Sequence, residues 1–245
     1  MLAYVYDGSL EGLLTAIYEA YYRKQGPELI LNKKNLQVSL IDEYVFIDAD
    51  PGKSDRVYAS IRENISGESL QHVYYVFLSE HPEAGTMIYN YLKYGWKVGS
   101  KVNLHISDDR VFKIHEISQR VGHETNKLMG FVRFRQVEGG LYYAPIKPDS
   151  NIVELLAPHF AERLADQSWI IHDVGRDIAA LYNTRTWVIS DFSVDELPAP
   201  TEEETENRRL WKEFFNTLAI PSRYNPKLQR QLMPRRYWDY LIEKW

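Results

Sequence analysis

The order in which strand-like and helix-like segments succeed one another constrains this chain most. LAYVY (2–6) alternates and is rich in Tyr and Val, which predicts a strand. DGS then turns the chain, with Ser9 as N-cap. Leu10, Leu13, Leu14, Ile17, Tyr18 and Tyr21 come next at helical spacing, and Gly26-Pro27 ends that helix. YVFID (44–48) predicts a short strand, with a helix after it from about 54 to 65. From 68 to 128 apolar residues recur at three and four almost throughout. GFVRFRQVEGGLYYAPI (130–146) predicts a hairpin, because two alternating runs flank a Glu-Gly-Gly turn. NIVELLAPHFAERLAD (151–166) predicts a helix, and WIIHDV (169–174), AALYN and TWVIS (179–190) predict strands. RRLWKEFFNTLAI (208–220) predicts an amphipathic helix, and Pro221, Pro226 and Pro234 punctuate the rest of the tail.

This order is not a regular βαβ alternation. It predicts an α+β fold: a mostly antiparallel sheet with an inserted helical subdomain (about 53–129) and a helical C-terminal tail. The expected organisation is a core over 1–194, an acidic linker over 195–207 and a basic aromatic tail over 208–245.

Charge is segregated along the chain. The formal net charge of the 245 residues is −5. Residues 191–207 carry seven acidic and no basic side chains, which is −7. Residues 208–245 carry nine basic and three acidic ones, which is +6, together with eight aromatics. An attraction for nucleic acid is thereby confined to the tail rather than spread over the surface. The chain has no cysteine, so it offers no disulfide, thiol nucleophile or thiolate for zinc or an iron–sulfur cluster. No run approaches the roughly 18 apolar residues of a membrane span. The segment MLAYVYDGSLEG lacks a basic n-region, so a cytoplasmic protein is expected. The dinucleotide, P-loop, zincin, serine-hydrolase and EF-hand signatures are absent.

Several residue groups have the chemistry of a site. Strand alternation would place Arg133 and Arg135 beside Phe131 on one face, where two guanidinium groups clamp a phosphate or carboxylate. In SWIIHDV the alternation groups Trp169, Ile171 and Asp173, with His172 on the other face. His159 and Arg163 are one helical turn apart, and Arg176 lies three residues after Asp173. Convergence of His159, Arg163, His172, Asp173 and Arg176 would give acid–base groups beside an anion stabiliser. A structural Asp173–Arg176 pair beside an ordinary histidine satisfies the same spacing. Glu116, Arg120 and Glu124 form an i,i+4 ladder that predicts surface ion pairing, and no metal site is assigned. Asp7 fits turn chemistry. In the tail, Arg230, Arg235, Arg236, Tyr237 and Trp238 interleave charge with rings. That composition suits contact with phosphates and unpaired bases, docking onto a protein, or packing back on the core.

YDGSLEGLLTAIYEAY, ETNKLMGFVRFRQ, YYAPIKPDSNIVELLAPHFAERL, WIIHDVGRDIAALY and NPKLQRQLMPRRYWDYL together resemble a bacterial family of radical-SAM-linked DNA metabolism or DNA repair proteins. The family's domain is formally of unknown function, and the resemblance covers essentially the whole chain. Many relatives resemble E-x-H-R where this chain has Glu124-Thr125-Asn126-Lys127. In some relatives the domain is joined to a uracil-DNA-glycosylase-like domain. The resemblance implies a radical SAM protein as partner, holding the iron–sulfur cluster and SAM, and a pathway of DNA repair or modification. It supplies no established catalytic residue and no cofactor for this chain. Three functional readings are open. The first is a DNA repair or modification accessory protein that binds DNA through Arg133, Arg135 and the tail. The second is an enzyme acting on a damaged base or nucleotide. The third is a protein-binding adaptor without DNA contact.

Overall fold

Strand β1 (Leu2–Tyr6) is buried on both faces from Ala3 onward, which is the environment of a parallel sheet covered by helices. The computed structural model describes residues 1–23, 26–36, 43–194, 199–218, 220, 222 and 225–241. Asp195, Glu196, Pro221, Tyr224 and Trp245, all within the linker and tail, lie outside these. The chain forms two compact units, Met1–Gly122 and His123–Trp245.

In the first unit β1 is the centre of a three-stranded sheet. It pairs parallel with β2 (Leu29–Asn32) on one side and with β3 (Glu43–Ile47) on the other. Helix α1 (Leu10–Tyr22) starts as expected: Ser9 accepts from the Gly12 N–H, and Asp7 Oδ1 accepts from the Ser9 N–H at 2.9 Å. The helix stops before Gly26-Pro27. Helix α2 (Pro51–Asn64) starts earlier than 54, because the Asp50 side chain caps it and Pro51 supplies a ready φ at N1. Helices α3 (Gly67–Leu78) and α4 (Ala84–Val98) come next, then α5 (Asp109–Phe131), within which the boundary between the units falls.

The core of this unit is built on Tyr4, Leu13, Ile17, Ile30, Ile61, Ile88 and Leu92. Tyr91 is buried among them, and its hydroxyl lies 2.6 Å from Asn103 Oδ1 and 2.8 Å from Ser69 Oγ. Burial pushes that phenol up to about 12, so it stays protonated.

In the second unit five strands form a mixed sheet in the order β4-β5-β6-β7-β8. They are β4 (Arg135–Val137), β5 (Leu141–Ile146), β6 (Trp169–Asp173), β7 (Ile178–Tyr182) and β8 (Trp187–Asp191). The hairpin β4-β5 turns through Gly139 and Gly140 at positive φ. Helix α6 (Val153–Arg163) carries the chain from β5 to a parallel β6, and β7 and β8 add antiparallel. Helix α7 (Glu202–Leu218), α8 (Pro226–Leu232) and a 3-10 segment (Arg235–Tyr240) complete the order.

The fold is α+β, but the expectation of a mostly antiparallel sheet is corrected. One sheet is wholly parallel and the other contains a parallel pair. Strand β2 escapes the sequence pattern because LILN is too short to show a period. The first arm of the hairpin is also shorter than expected. Helix α5 runs through Phe131 and the Val132 N–H still bonds to Leu128 O, so Arg133 lies outside the strand. Among the described residues no helix is long and apolar enough to cross a membrane.

Gly85 of α4 lies close against the backbone of β2. A Cβ there would lie 2.5 Å from the Ile30 carbonyl oxygen, and the neighbouring Thr86 hydroxyl bonds to both Ile30 N and O. Gly85→Ala is therefore expected to destabilise the full chain by about 1–3 kcal/mol, measured by urea denaturation.

Candidate functional site

Arg133 and Arg163 come together in one pocket of about 450 Å³ in the second unit. Arg133 lies just beyond α5, and Arg163 closes α6. The Arg133 Nη1 donates to Gly130 O at 2.9 Å, which fixes the guanidinium over the helix end. Phe134, Phe160 and Tyr142 line the same pocket, and the Phe134 and Phe160 rings meet edge-on at 5.2 Å. Gln167 and Asp166 complete its polar lining. The site thus offers two cations, one carboxylate, three rings and an amide in a volume suited to one small molecule.

Arg135 goes elsewhere. Its register partner across the hairpin is Tyr143, and its guanidinium lies 5.1 Å from that ring. The expected side-by-side pair Arg133/Arg135 is therefore corrected: only Arg135 belongs to the strand. Arg135 Nε and Nη2 are buried and unbonded among the described residues. Burial and then the nearby Arg208 lower its pKa. The Tyr143 hydroxyl lies 2.6 Å from His172 Nδ1, so Arg135, Tyr143 and His172 cross one sheet face in a line. Burial pushes Tyr143 up to about 12 and also pushes the His172 imidazolium down, toward a neutral ring.

Asp173 and Arg176 pair at 2.8 Å, with Asp173 fully buried. Asp173 also accepts from the Gly175 N–H, and Arg176 donates to Pro148 O and Asp149 O. This geometry is that of a structural pair, and it ties the β6–β7 turn to the loop before α6. His159 packs edge-on against Phe160 at 4.9 Å. Among the described residues neither His159 nor Arg163 bonds to His172, Asp173 or Arg176. Of the five residues considered as one acid–base site, the described contacts bring together only Asp173 and Arg176.

The spacing of Glu124 predicts a rung of a surface ladder, and the structure corrects this. The Arg120–Glu116 pair forms at 3.0 Å, but Glu124 is buried instead. Its carboxylate accepts from the Asp149 N–H at 2.8 Å, the Ser150 N–H at 3.0 Å and the Tyr237 hydroxyl at 3.0 Å. Arg236 lies 3.6 Å from it and pairs with Asp149 at 2.7 Å. So Tyr237, expected as a stacking ring, is committed to the fold. Trp238 donates its indole N–H to Met233 O and lies under Arg235, while Arg230 is exposed on α8 and donates to Pro226 O.

Sequence reasoning missed Tyr143, Tyr142 and the burial of Glu124. Alternation along LYYAPI carries the signal for the first two, since it sets Tyr143 on the Arg135 face and Tyr142 opposite.

A family model described as a domain of unknown function, DUF4130, matches residues 82–243, more than half of the chain. The chain belongs to this family. The DUF4130 span contains the Arg133/Arg163 pocket and the Glu124 anchor, and it begins after β1–β3 and α1–α3. No curated protein matches the chain.

Removing one donor from a buried carboxylate leaves charge uncompensated. Tyr237→Phe is expected to loosen the closing segment, costing about 1.5–3 kcal/mol. Limited proteolysis should then cut after α7 several-fold faster than in wild type, with the strands still protected from amide exchange.

Proposed function

We propose that this DUF4130 protein is a DNA repair or modification accessory protein that binds nucleic acid and works with a radical SAM enzyme. The observation that carries the binding half is the joint presence of Arg133 and Arg163 in an aromatic-walled pocket. Guanidinium groups take phosphate oxygens through paired N–H donors, and the rings Phe134, Tyr142 and Phe160 offer surface to a base. The partner half rests on the family resemblance. It also fits a chain without cysteine, which leaves thiolate-held iron–sulfur chemistry to another protein.

DNA binding is tested by titrating single- and double-stranded oligonucleotides against salt. Arg163→Ala is expected to weaken binding and to shallow the log–log salt slope by about 0.7–0.9, one phosphate contact. Absence of binding at low salt, or a slope that Arg163→Ala leaves unchanged, would reject the pocket's role.

One surface favours a protein partner in addition. Leu210, Trp211, Phe214 and Leu218 are all exposed, and their spacing sets them along one side of α7. Under this reading the stripe is where the radical SAM partner sits. Trp211→Ser with Phe214→Ser is expected to abolish co-purification of the two proteins while leaving the melting temperature of the chain within a few degrees.

A further inference from the structure

We infer that the first unit carries a second binding site, a groove that takes an unpaired nucleotide, with the base on Tyr21, Tyr22 and Trp96 and the phosphate at Arg56. The groove has a volume of about 460 Å³ and lies between the C-terminal half of α1, helix α2 and Trp96 of α4. It is separate from the Arg133/Arg163 pocket and goes beyond the reading of that pocket.

Tyr18, Tyr21 and Tyr22 share a side of α1 by their three- and four-residue spacing. Tyr18 and Tyr22 lie 4.6 Å apart at 42°, Tyr21 and Tyr22 5.5 Å at 75°, and Tyr21 and Trp96 5.1 Å at 68°. Rings that meet edge-on leave faces uncovered, and Tyr21 and Tyr22 remain 54% and 70% exposed. Trp96 is held in place, because its indole N–H donates to Ser60 Oγ at 3.1 Å. The same hydroxyl accepts from Asn64 Nδ2 at 3.1 Å, so Asn64 Oδ1 is the group left to meet a base edge.

Charge selects among the ligands such rings could take. Arg23 and Lys53 pair with Glu19, and Lys53 also with Asp50. Arg56 differs. Its neighbours at three and four positions on α2 are Gly52, Lys53, Ala59 and Ser60, none acidic. Its guanidinium bonds to the Tyr18 hydroxyl at 3.3 Å and to no carboxylate among the described residues. An uncompensated cation beside the rings disfavours a quaternary ammonium and favours a ligand that is flat at one end and anionic at the other. A nucleotide has that form, either free or within a single strand.

The test uses the full chain and three probes: a labelled oligo-dT, the same strand with abasic sites, and dTMP. Tyr21→Ala with Tyr22→Ala is expected to weaken oligo-dT binding by about 5- to 150-fold, the range for loss of base stacking. The abasic strand should bind the wild type as weakly as oligo-dT binds this variant, and Arg56→Gln should reduce the affinity for oligo-dT and dTMP alike. The tyrosine effect should persist in an Arg163→Ala background, which separates this groove from the other pocket. If dTMP saturates the groove as tightly as oligo-dT, the free nucleotide is the ligand; if only the strand binds tightly, the strand is. Equal binding of abasic and intact strands, no effect of the tyrosine changes, or binding of a proline-rich peptide in place of both nucleotides would overturn the inference. Both tyrosines are exposed, so an unchanged thermal melt confirms that each variant is folded.

Discussion

The second unit depends on one buried carboxylate. Glu124 sits near the end of a long helix with almost no access to water, and a bare charge there would be strongly disfavoured. It is tolerated because three hydrogen bonds reach it from two other segments: the loop that precedes α6 and the chain end that carries Tyr237. The same loop is held from a third side, where Arg176, itself fixed by Asp173, donates to the Pro148 and Asp149 carbonyls. Two acid-centred clusters thus grip one short loop. That loop sets the start of α6, and Arg163 of the pocket stands at the far end of the same helix.

Much of this is legible in the sequence, and the exceptions share a cause. Sequence signals hold where the chemistry is local: the Ser9 cap, the Asp7 turn, the Gly-Gly hairpin turn and the Asp173–Arg176 spacing. The failures depend on what lies across space. Glu124 obeys the i,i+4 rule with Arg120, and nothing within one helical turn shows that Asp149, Ser150 and Tyr237 compete for it. Arg133 has the pattern of a strand residue because FVRFRQ alternates, yet the helix runs on through Phe131 and the Val132 N–H bonds back to Leu128 O. Parallel pairing is hidden because the pattern of LAYVY is that of a strand in either kind of sheet. The tyrosine groove is hidden because Tyr18 and Tyr21 fit the core positions of an amphipathic helix, and Trp96 is far from them in sequence.

The charge segregation takes on a different meaning in three dimensions. The acidic stretch contributes the first turn of α7, and Glu202, Glu203 and Glu204 lie where a helix N-terminus favours negative charge. Glu204 pairs with Arg208, and Arg209 bridges Glu206 and Glu213. Arg236 is shared by Asp149 and Glu124. Three of the cations behind the local +6 are therefore answered by acids of the same unit, and surface pairs of this kind hold their charges to the protein even though each adds little stability.

That pairing shifts where an anionic ligand would go. A phosphate at Arg208, Arg209 or Arg236 would have to displace carboxylates already at hydrogen-bond distance, whereas at Arg56 it displaces only a weak phenol contact. Arg135 is a different case. Its two unbonded nitrogens are buried, so an anion reaching them must first cross the covering chain. Access, rather than the count of basic residues, separates a cation that recognises a ligand from one that holds the fold. By that criterion the sites proposed for a nucleotide are the ring-lined grooves, one in each unit, and within the tail Tyr237 and Arg236 hold the fold through Glu124 and Asp149.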